Sequence, residues 1–140
     1  MEKPFSTQRL IRFSHCDPAG IVYFANFFDM IGGLVEDWFR EVVALPFQEM
    51  HLQRRVGFPV VNTGCEFSRP CHLGEILTLE LTIEALGRSS IEFRIRGHVG
   101  GDDKFRGRHK VAMISLETFK AVPIPADMRE KMLPYVVDAQ

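Results

Sequence analysis

Apolar side chains recur at Phe24, Phe27, Phe28, Ile31, Leu34, Val35, Trp38, Phe39 and Val42, the i, i+3, i+4, i+7 spacing of a helix with one buried face. Pro18 and Gly20 keep that helix from extending backwards, since proline lacks an amide donor and glycine favours conformations other residues avoid. The helix therefore opens near Phe24. Period two governs much of the C-terminal half. Leu77, Leu79, Leu81, Ile83 and Ala85 alternate with Thr78, Glu80, Thr82 and Glu84, and Ile91, Phe93, Ile95 and Val99 with Glu92, Arg94, Arg96 and His98. Each run predicts a strand with one apolar face. Gly87 lies between them, so the two are expected to pair as a hairpin, with Glu80 and Glu84 facing Arg94 and Arg96.

Weaker alternation over Phe5 to Phe13 predicts a first strand, and Val56 to Phe67 is a β-rich run ended by Ser68-Arg69-Pro70. Between helix and run, Ala44 to Met50 reads as a stop at Pro46 followed by a short helical turn. Gly100-Gly101-Asp102-Asp103 predicts a turn, and Phe105 to Phe119 a last long strand. In that strand the basic Arg106, Arg108 and Lys110 give way to Ala112, Ile114 and Leu116 in the same register, as when a strand changes partners midway. Pro123-Ile124-Pro125 stops it, and Ala126 to Leu133 predicts a short terminal helix. The order is strand, long helix, then four strands on short loops. Its simplest packing is one antiparallel sheet over one helix. The opposite face or an edge of such a sheet is commonly covered by a second copy, so a homodimer, or a homotetramer, is expected.

At 140 residues the chain is expected to form a single domain over 1–140 with its own core. Seventeen basic against eighteen acidic residues, net charge -1, give none of the overall basic bias of a nucleic-acid binder. The apolar runs are short, and Met1-Glu2-Lys3-Pro4 leads into a polar strand, so neither a membrane span nor a secretory peptide is predicted and a cytoplasmic protein is expected. Cys16, Cys65 and Cys71 are odd in number and form no C-x-x-C pair, which argues against a disulfide framework and a zinc knuckle. His15 lies beside Cys16, but no second pair at metal-ligand spacing appears among His51, His72, His98 and His109. No metal and no cofactor are expected.

Asp17 sits on the turn ahead of the helix, near the unpaired amides and partial positive charge of its first turn. Such a carboxylate either orders the turn or does chemistry. The segment Cys16-Asp17-Pro18-Ala19-Gly20-Ile21-Val22-Tyr23-Phe24-Ala25-Asn26-Phe27, followed by a long helix, resembles the signature of the 4-hydroxybenzoyl-CoA thioesterase family of hotdog-fold acyl-CoA thioesterases. Phe67-Ser68-Arg69-Pro70, Gly74-Glu75-Ile76-Leu77 and Leu86-Gly87-Arg88-Ser89-Ser90 sit where that family has later landmarks. The resemblance implies an α+β hotdog fold, an antiparallel sheet wrapped around one long central helix, and hydrolysis of an aromatic or short-to-medium acyl-CoA.

By the same resemblance Asp17 takes the place of the essential carboxylate, acting as general base or as nucleophile. The backbone N–H of Phe24 takes that of the donor polarising the thioester carbonyl. Many relatives carry Tyr or His where Phe24 stands, a departure that costs little if the donor is the backbone. Arg88, Ser89 and Ser90 match the region that holds the coenzyme A phosphates, although Gly-Arg-Ser-Ser is equally a solvated turn. Arg54-Arg55 and Arg106-Gly107-Arg108 are further basic clusters. Tyr23 and Asn26 are candidate substrate contacts within the motif, Asn26 being equally a helix cap. Thr63, on the strand expected beside the helix, is a pocket candidate. Two other readings stand beside the thioesterase. One is a non-catalytic acyl-CoA binding module. The other is a hotdog hydratase or dehydratase, which would want a histidine working with a carboxylate, and His15 is the only one near.

Overall fold

The computed structural model describes residues 4–137. Strand β1 (Phe5–Leu10) leads through a 3-10 turn (Phe13–His15) and the Asp17 loop into helix α1 (Phe24–Trp38), which continues as a π-helical turn (Phe39–Val43). The one-turn helix α2 (Phe47–Glu49) and a second π turn (Met50–Arg54) come next. Then come β2 (Val56–Gly57), β3 (Val60–Phe67), β4 (Ile76–Leu86), β5 (Ser90–Val99), β6 (Asp102–Ala112), β7 (Ile114–Ser115) and helix α3 (Ala126–Met132). Five strands form one antiparallel sheet in the order β1-β4-β5-β6-β3, and β2 pairs separately with β7. The expected sheet over one helix is the observed architecture.

One face of α1 carries the buried Phe27, Met30, Ile31, Leu34, Val35 and Trp38, the three-to-four spacing read from the sequence. It packs on the buried side chains Leu77, Leu79, Leu81 and Ile83 of β4, Ile91, Phe93 and Ile95 of β5, and Phe105 and Val111 of β6. Trp38 meets Phe93 and Phe39 edge-on, with ring centroids 5.2 and 5.0 Å apart, the geometry that aromatic quadrupoles favour. Gly97 opposes Phe105 across β5 and β6, and a Cβ there would lie 2.2 Å from the Phe105 ring. A side chain at 97 would occupy the volume the ring fills.

On the outer face the hairpin charges pair as expected. Arg94 reaches Glu84 at 2.8 Å, while Arg96 reaches Asp103 at 2.6 Å and Glu80 at 3.8 Å. The guanidinium hydrogen bonds from Arg94 and Arg96 hold Glu84 and Asp103 below the usual carboxylate range.

Several boundaries differ from expectation for physical reasons. The first strand ends at Leu10 rather than Phe13: Ile11 N–H still reaches the Glu75 carbonyl, but Glu75 N–H turns back to His72 and Gly74 takes the Ile11 carbonyl, so the ladder with β4 stops there. Phe13 is then 82% exposed. Val56 to Phe67 is two strands, since Pro59 has no amide for a ladder and the pieces pair with different partners, β7 and β6. Strand β6 starts at Asp102, with only Gly100 and Gly101 turning at φ 56° and 90°. It ends at Ala112, after which Ile114–Ser115 joins β2, the change of partners that the shift from basic to apolar residues implied. Phe24 stands 56% exposed, outside the buried face of the helix.

Candidate active site

The Asp17 loop is a small hairpin. Cys16 bridges Val22, Asp17 N–H donates to the Ile21 carbonyl at 2.9 Å, and Gly20 N–H donates to the Asp17 carbonyl at 3.0 Å. Residues 17–20 thus form a hydrogen-bonded β-turn with Pro18 at its second position, and Gly20 takes φ 78°. Within the turn, Asp17 Oδ1 accepts the Ala19 amide at 2.8 Å. Asp17 is therefore turn-forming, and half of its carboxylate remains: Oδ2 has no hydrogen-bond partner among the described residues.

Two contacts tie this loop to the start of α1. The His15 carbonyl accepts both the Tyr23 amide at 3.0 Å and Asn26 Nδ2 at 2.8 Å. Asn26 is thus a clamp rather than a cap: the N-cap position is Tyr23, with no side-chain cap bond. His15 in turn accepts the Arg12 amide at Nδ1, 2.9 Å, so its ring is occupied in ordering the loop. Phe24 is the first helical residue, and its N–H has no intrahelical acceptor by construction. None is found elsewhere among the described residues. A second loop supports the first, with Leu73 N–H on the Gly20 carbonyl at 3.0 Å and Ile21 bridged to His72.

Tyr23 and Phe24 are half-exposed, with rings 5.1 Å apart. Phe27, one turn on, is buried against Phe67 and Phe105 at 5.4 and 5.0 Å. The structure thus gathers Asp17, Tyr23, Phe24 and Asn26 at one end of the molecule.

Thr63 and the Arg88 turn lie elsewhere. Thr63, Cys65 and Phe67 oppose His109, Gly107 and Phe105 on the helix side of edge strand β3. Thr63 is four residues from Phe67, about 13 Å along the strand. Its Oγ1 is 3.0 Å from His109 Nδ1. His109 is buried, and desolvation pushes its pKa down. Sequence reading missed this pair, although His109 shares the register of Phe105 and Val111, opposite to the basic residues. Burial also raises the thiols of Cys65 and Cys71 to about 11.

Arg88 and Ser89 lie in the turn between β4 and β5, and Ser90 opens β5. The loop touching Gly20 and Ile21 sits just before the other end of β4, whose eleven residues span roughly 33 Å. One chain thus does not bring Arg88 to Asp17. A hollow of about 590 Å³ on the outer sheet face is bordered by Asn62, Glu66, Arg94 and the basic cluster Arg106-Gly107-Arg108, but by none of Asp17, Tyr23, Phe24, Asn26, Thr63 and Arg88.

A signature of the thioesterase-like superfamily matches residues 11–132. The chain belongs to that superfamily. The 4-hydroxybenzoyl-CoA thioesterase of Pseudomonas sp. is 30% identical over 138 residues, 93% of this chain and 98% of that protein. The 1,4-dihydroxy-2-naphthoyl-CoA hydrolase of Crocosphaera subtropica is 27% identical over 88% of this chain and 84% of its own. Among solved structures, a thioesterase superfamily member from Jannaschia sp. superposes with TM-score 0.89 at 25% identity, covering 96% of this chain and 94% of that one. A 4-hydroxybenzoyl CoA thioesterase mutant complexed with 4-hydroxybenzoyl CoA superposes with TM-score 0.84 at 25% identity, covering 92% and 98%. These relatives place the superfamily member described here among thioester hydrolases, and its fold is the hotdog fold.

Proposed function

We propose that this hydrolase cleaves an aromatic acyl-CoA to the free acid and coenzyme A, with Asp17 and the Phe24 amide as its working groups. The observation that carries the reading is the pairing of a fixed carboxylate having one free oxygen with an acceptor-less helix N-terminal amide. The His15 carbonyl, which accepts the Tyr23 amide and Asn26 Nδ2, ties the loop that carries Asp17 to the start of the helix. The relatives supply the acyl class, since the Pseudomonas and Crocosphaera enzymes are named for hydroxylated aroyl thioesters. The exposed rings of Tyr23 and Phe24 offer aromatic surface beside the turn.

Thioester hydrolysis builds negative charge on the carbonyl oxygen, and a preorganised amide aimed at that oxygen stabilises it; one such donor is worth about two to three orders of magnitude in rate. In one route Asp17 Oδ2 takes a proton from water as the water oxygen bonds to the carbonyl carbon. The tetrahedral oxyanion then collapses, the C–S bond breaks, and the thiolate leaves and is protonated. In the other route Oδ2 itself bonds to the carbonyl carbon, the thiolate leaves, and water cleaves the resulting anhydride.

The working molecule is proposed to be a homodimer or homotetramer. Strand β3 is an edge carrying the exposed Val60 and Val61, an unpaired ladder that a second copy would cover. In such an assembly the Arg88 turn of one protomer serves the Asp17 of another. Thiol release from benzoyl-, hydroxybenzoyl-, phenylacetyl- and aliphatic acyl-CoAs tests the proposal. The aroyl thioesters are expected to give the highest kcat/KM, and preference for a long aliphatic chain would overturn the acyl assignment.

A further inference from the structure

His15 is bonded in two directions. Towards β1, its N–H donates to the Arg12 carbonyl at 2.9 Å and its ring Nδ1 accepts the Arg12 amide, also at 2.9 Å. Towards α1, its carbonyl accepts the Tyr23 amide at 3.0 Å and Asn26 Nδ2 at 2.8 Å. Arg12 follows the buried Ile11, whose N–H and carbonyl are held by the Glu75 carbonyl at 2.8 Å and the Gly74 amide at 2.9 Å. Cys16 tightens the same turn, with its amide on the Phe13 carbonyl at 3.1 Å and its Sγ on the Arg12 carbonyl at 3.5 Å. His15 therefore joins an anchored strand end to the first residues of the helix, and Asp17 stands two positions further on.

The ring contact fixes a protonation state. A backbone amide can only donate, so Nδ1 must bring its lone pair and the ring proton sits on Nε2. An imidazolium has no lone pair at Nδ1, and the Arg12 N–H would then face a second donor. Nothing nearby is arranged to hold that cation: among the described residues the histidine paired with a carboxylate is His98. The ionisable groups on the segments bonded to this turn are Arg12 and Cys16 on the turn itself, Asp17 on the loop, Tyr23 at the start of α1, whose first turn holds no acidic residue, and His72 and Glu75 on the supporting loop. The Glu75 carboxylate is engaged by the His72 amide at 2.6 Å and by Lys104 at 3.9 Å. His15 is half-buried and residues 12–14 beside it are exposed, so protons reach the ring without unfolding the chain.

We propose that the neutral ring of His15 is a positioning element of the hydrolytic site. By holding the Arg12 amide it sets the carbonyl on which Tyr23 and Asn26 depend, and with it the spacing between the Asp17 carboxylate and the Phe24 amide. Protonation of the ring breaks the contact with Arg12 and lets that spacing drift, so turnover falls in acid. The roles of Asp17 and Phe24 rest on the reading above, to which the coupling through His15 is added.

The test follows kcat and KM for one aroyl-CoA between about pH 5 and 8, the range over which histidines change charge, in the wild type, His15→Ala and His15→Asn. Asparagine brings Oδ1 close to the place of Nδ1, accepts the Arg12 amide and does not titrate. At the alkaline end His15→Ala is expected to lower kcat roughly tenfold or more, the cost of misplacing a reacting group, with KM little changed, and His15→Asn to restore it. Towards the acid end the wild-type kcat declines, that of His15→Asn stays level, and His72→Asn and His109→Gln keep the wild-type decline. A merely structural role would move the melting temperature and leave the shape of the profile alone. A level wild-type profile, a decline that persists in His15→Asn, or wild-type kcat in His15→Ala at the alkaline end would overturn the proposal while leaving the hydrolase reading intact. Should His15→Ala not fold, the profile of His15→Asn decides alone. Should the wild-type protein cleave no thioester, the hydrolase reading fails and amide hydrogen exchange decides. Protection of the Tyr23 amide that falls on acidification in the wild type but not in His15→Asn sustains the positioning role, and protection that ignores the substitution overturns it.

Discussion

Gly97→Ala probes the packing that seats the start of α1. The added methyl would sit 2.2, 2.6 and 2.8 Å from three carbons of the Phe105 ring, well inside the ordinary contact distance of roughly 3.5–4.0 Å. The ring cannot swing clear, because it is fully buried and packed on Phe27 at 5.0 Å and Phe67 at 6.4 Å. Either Phe105 leaves its rotamer or strands β5 and β6 separate locally. Both are overpacking, which costs about 1–3 kcal/mol. Urea unfolding followed by circular dichroism should show that loss as a lower midpoint with an unchanged slope. The partner substitution sharpens the test. In a Phe105→Leu background the methyl meets a smaller, more adaptable side chain, so Gly97→Ala should cost less there by at least about 0.5 kcal/mol. Equal costs in the two backgrounds, or a wild-type midpoint for Gly97→Ala alone, would refute the steric reasoning.

Asn26→Ala removes one of the two donors that fix the His15 carbonyl. It should cost about 1 kcal/mol in stability but roughly tenfold or more in kcat, since small misplacement of a reacting group is expensive; stopped-flow thiol release and urea titration read the two. His109 is buried with its pKa held below 6.5 by desolvation. Between its folded and unfolded values the unfolded chain binds more protons, so stability rises with pH through that window and is lost as pH falls below about 6.5. His109→Gln should flatten that part of a stability–pH curve. With thiols raised to about 11, Cys65 and Cys71 hold only about a thousandth of their population as thiolate at pH 8, so iodoacetamide should label them slowly until urea unfolds the chain. Trp38 Nε1 is buried and finds no acceptor among the described residues, so Trp38→Phe, which removes that donor, should cost well under the roughly 3–5 kcal/mol of Trp38→Ala in thermal or urea unfolding.

Periodicity accounts for most of the structure that was legible in the chain. The helix from Phe24 and the β4–β5 hairpin could be read because one face of each is buried and the other wet, and the charges of Glu80, Glu84, Arg94 and Arg96 agreed with the pairing. The shift from Lys110 to Ala112 also told truly of a change of partners. Boundaries set by tertiary contact were not legible. Nothing local says that Glu75 N–H will turn back to His72 and stop the β1–β4 ladder, and the Val56 to Phe67 run hid a break whose sign was Pro59. At the site, the motif located Asp17 and Phe24, but not the sharing of the His15 carbonyl that makes Asn26 a clamp. Thr63 was a pocket candidate because its strand was expected beside the helix, and Arg88 a phosphate contact by family resemblance. The length of β4 separates the Arg88 turn from the Asp17 loop in one chain. His109 carried only a weak signal, its register position.

The measurement that bears most directly on the central claim is aroyl-CoA hydrolysis by Asp17→Asn beside the wild type, with thioester binding monitored in parallel. Asparagine keeps the shape of the side chain and an oxygen for the Ala19 amide, but it can neither take a proton from water nor form the anhydride. Positioned carboxylates of this kind are worth about two to four orders of magnitude. The expected result is a fall in kcat of at least about a hundredfold, with the thioester still bound and the melting temperature unchanged. A variant that releases thiol at the wild-type rate would contradict the account.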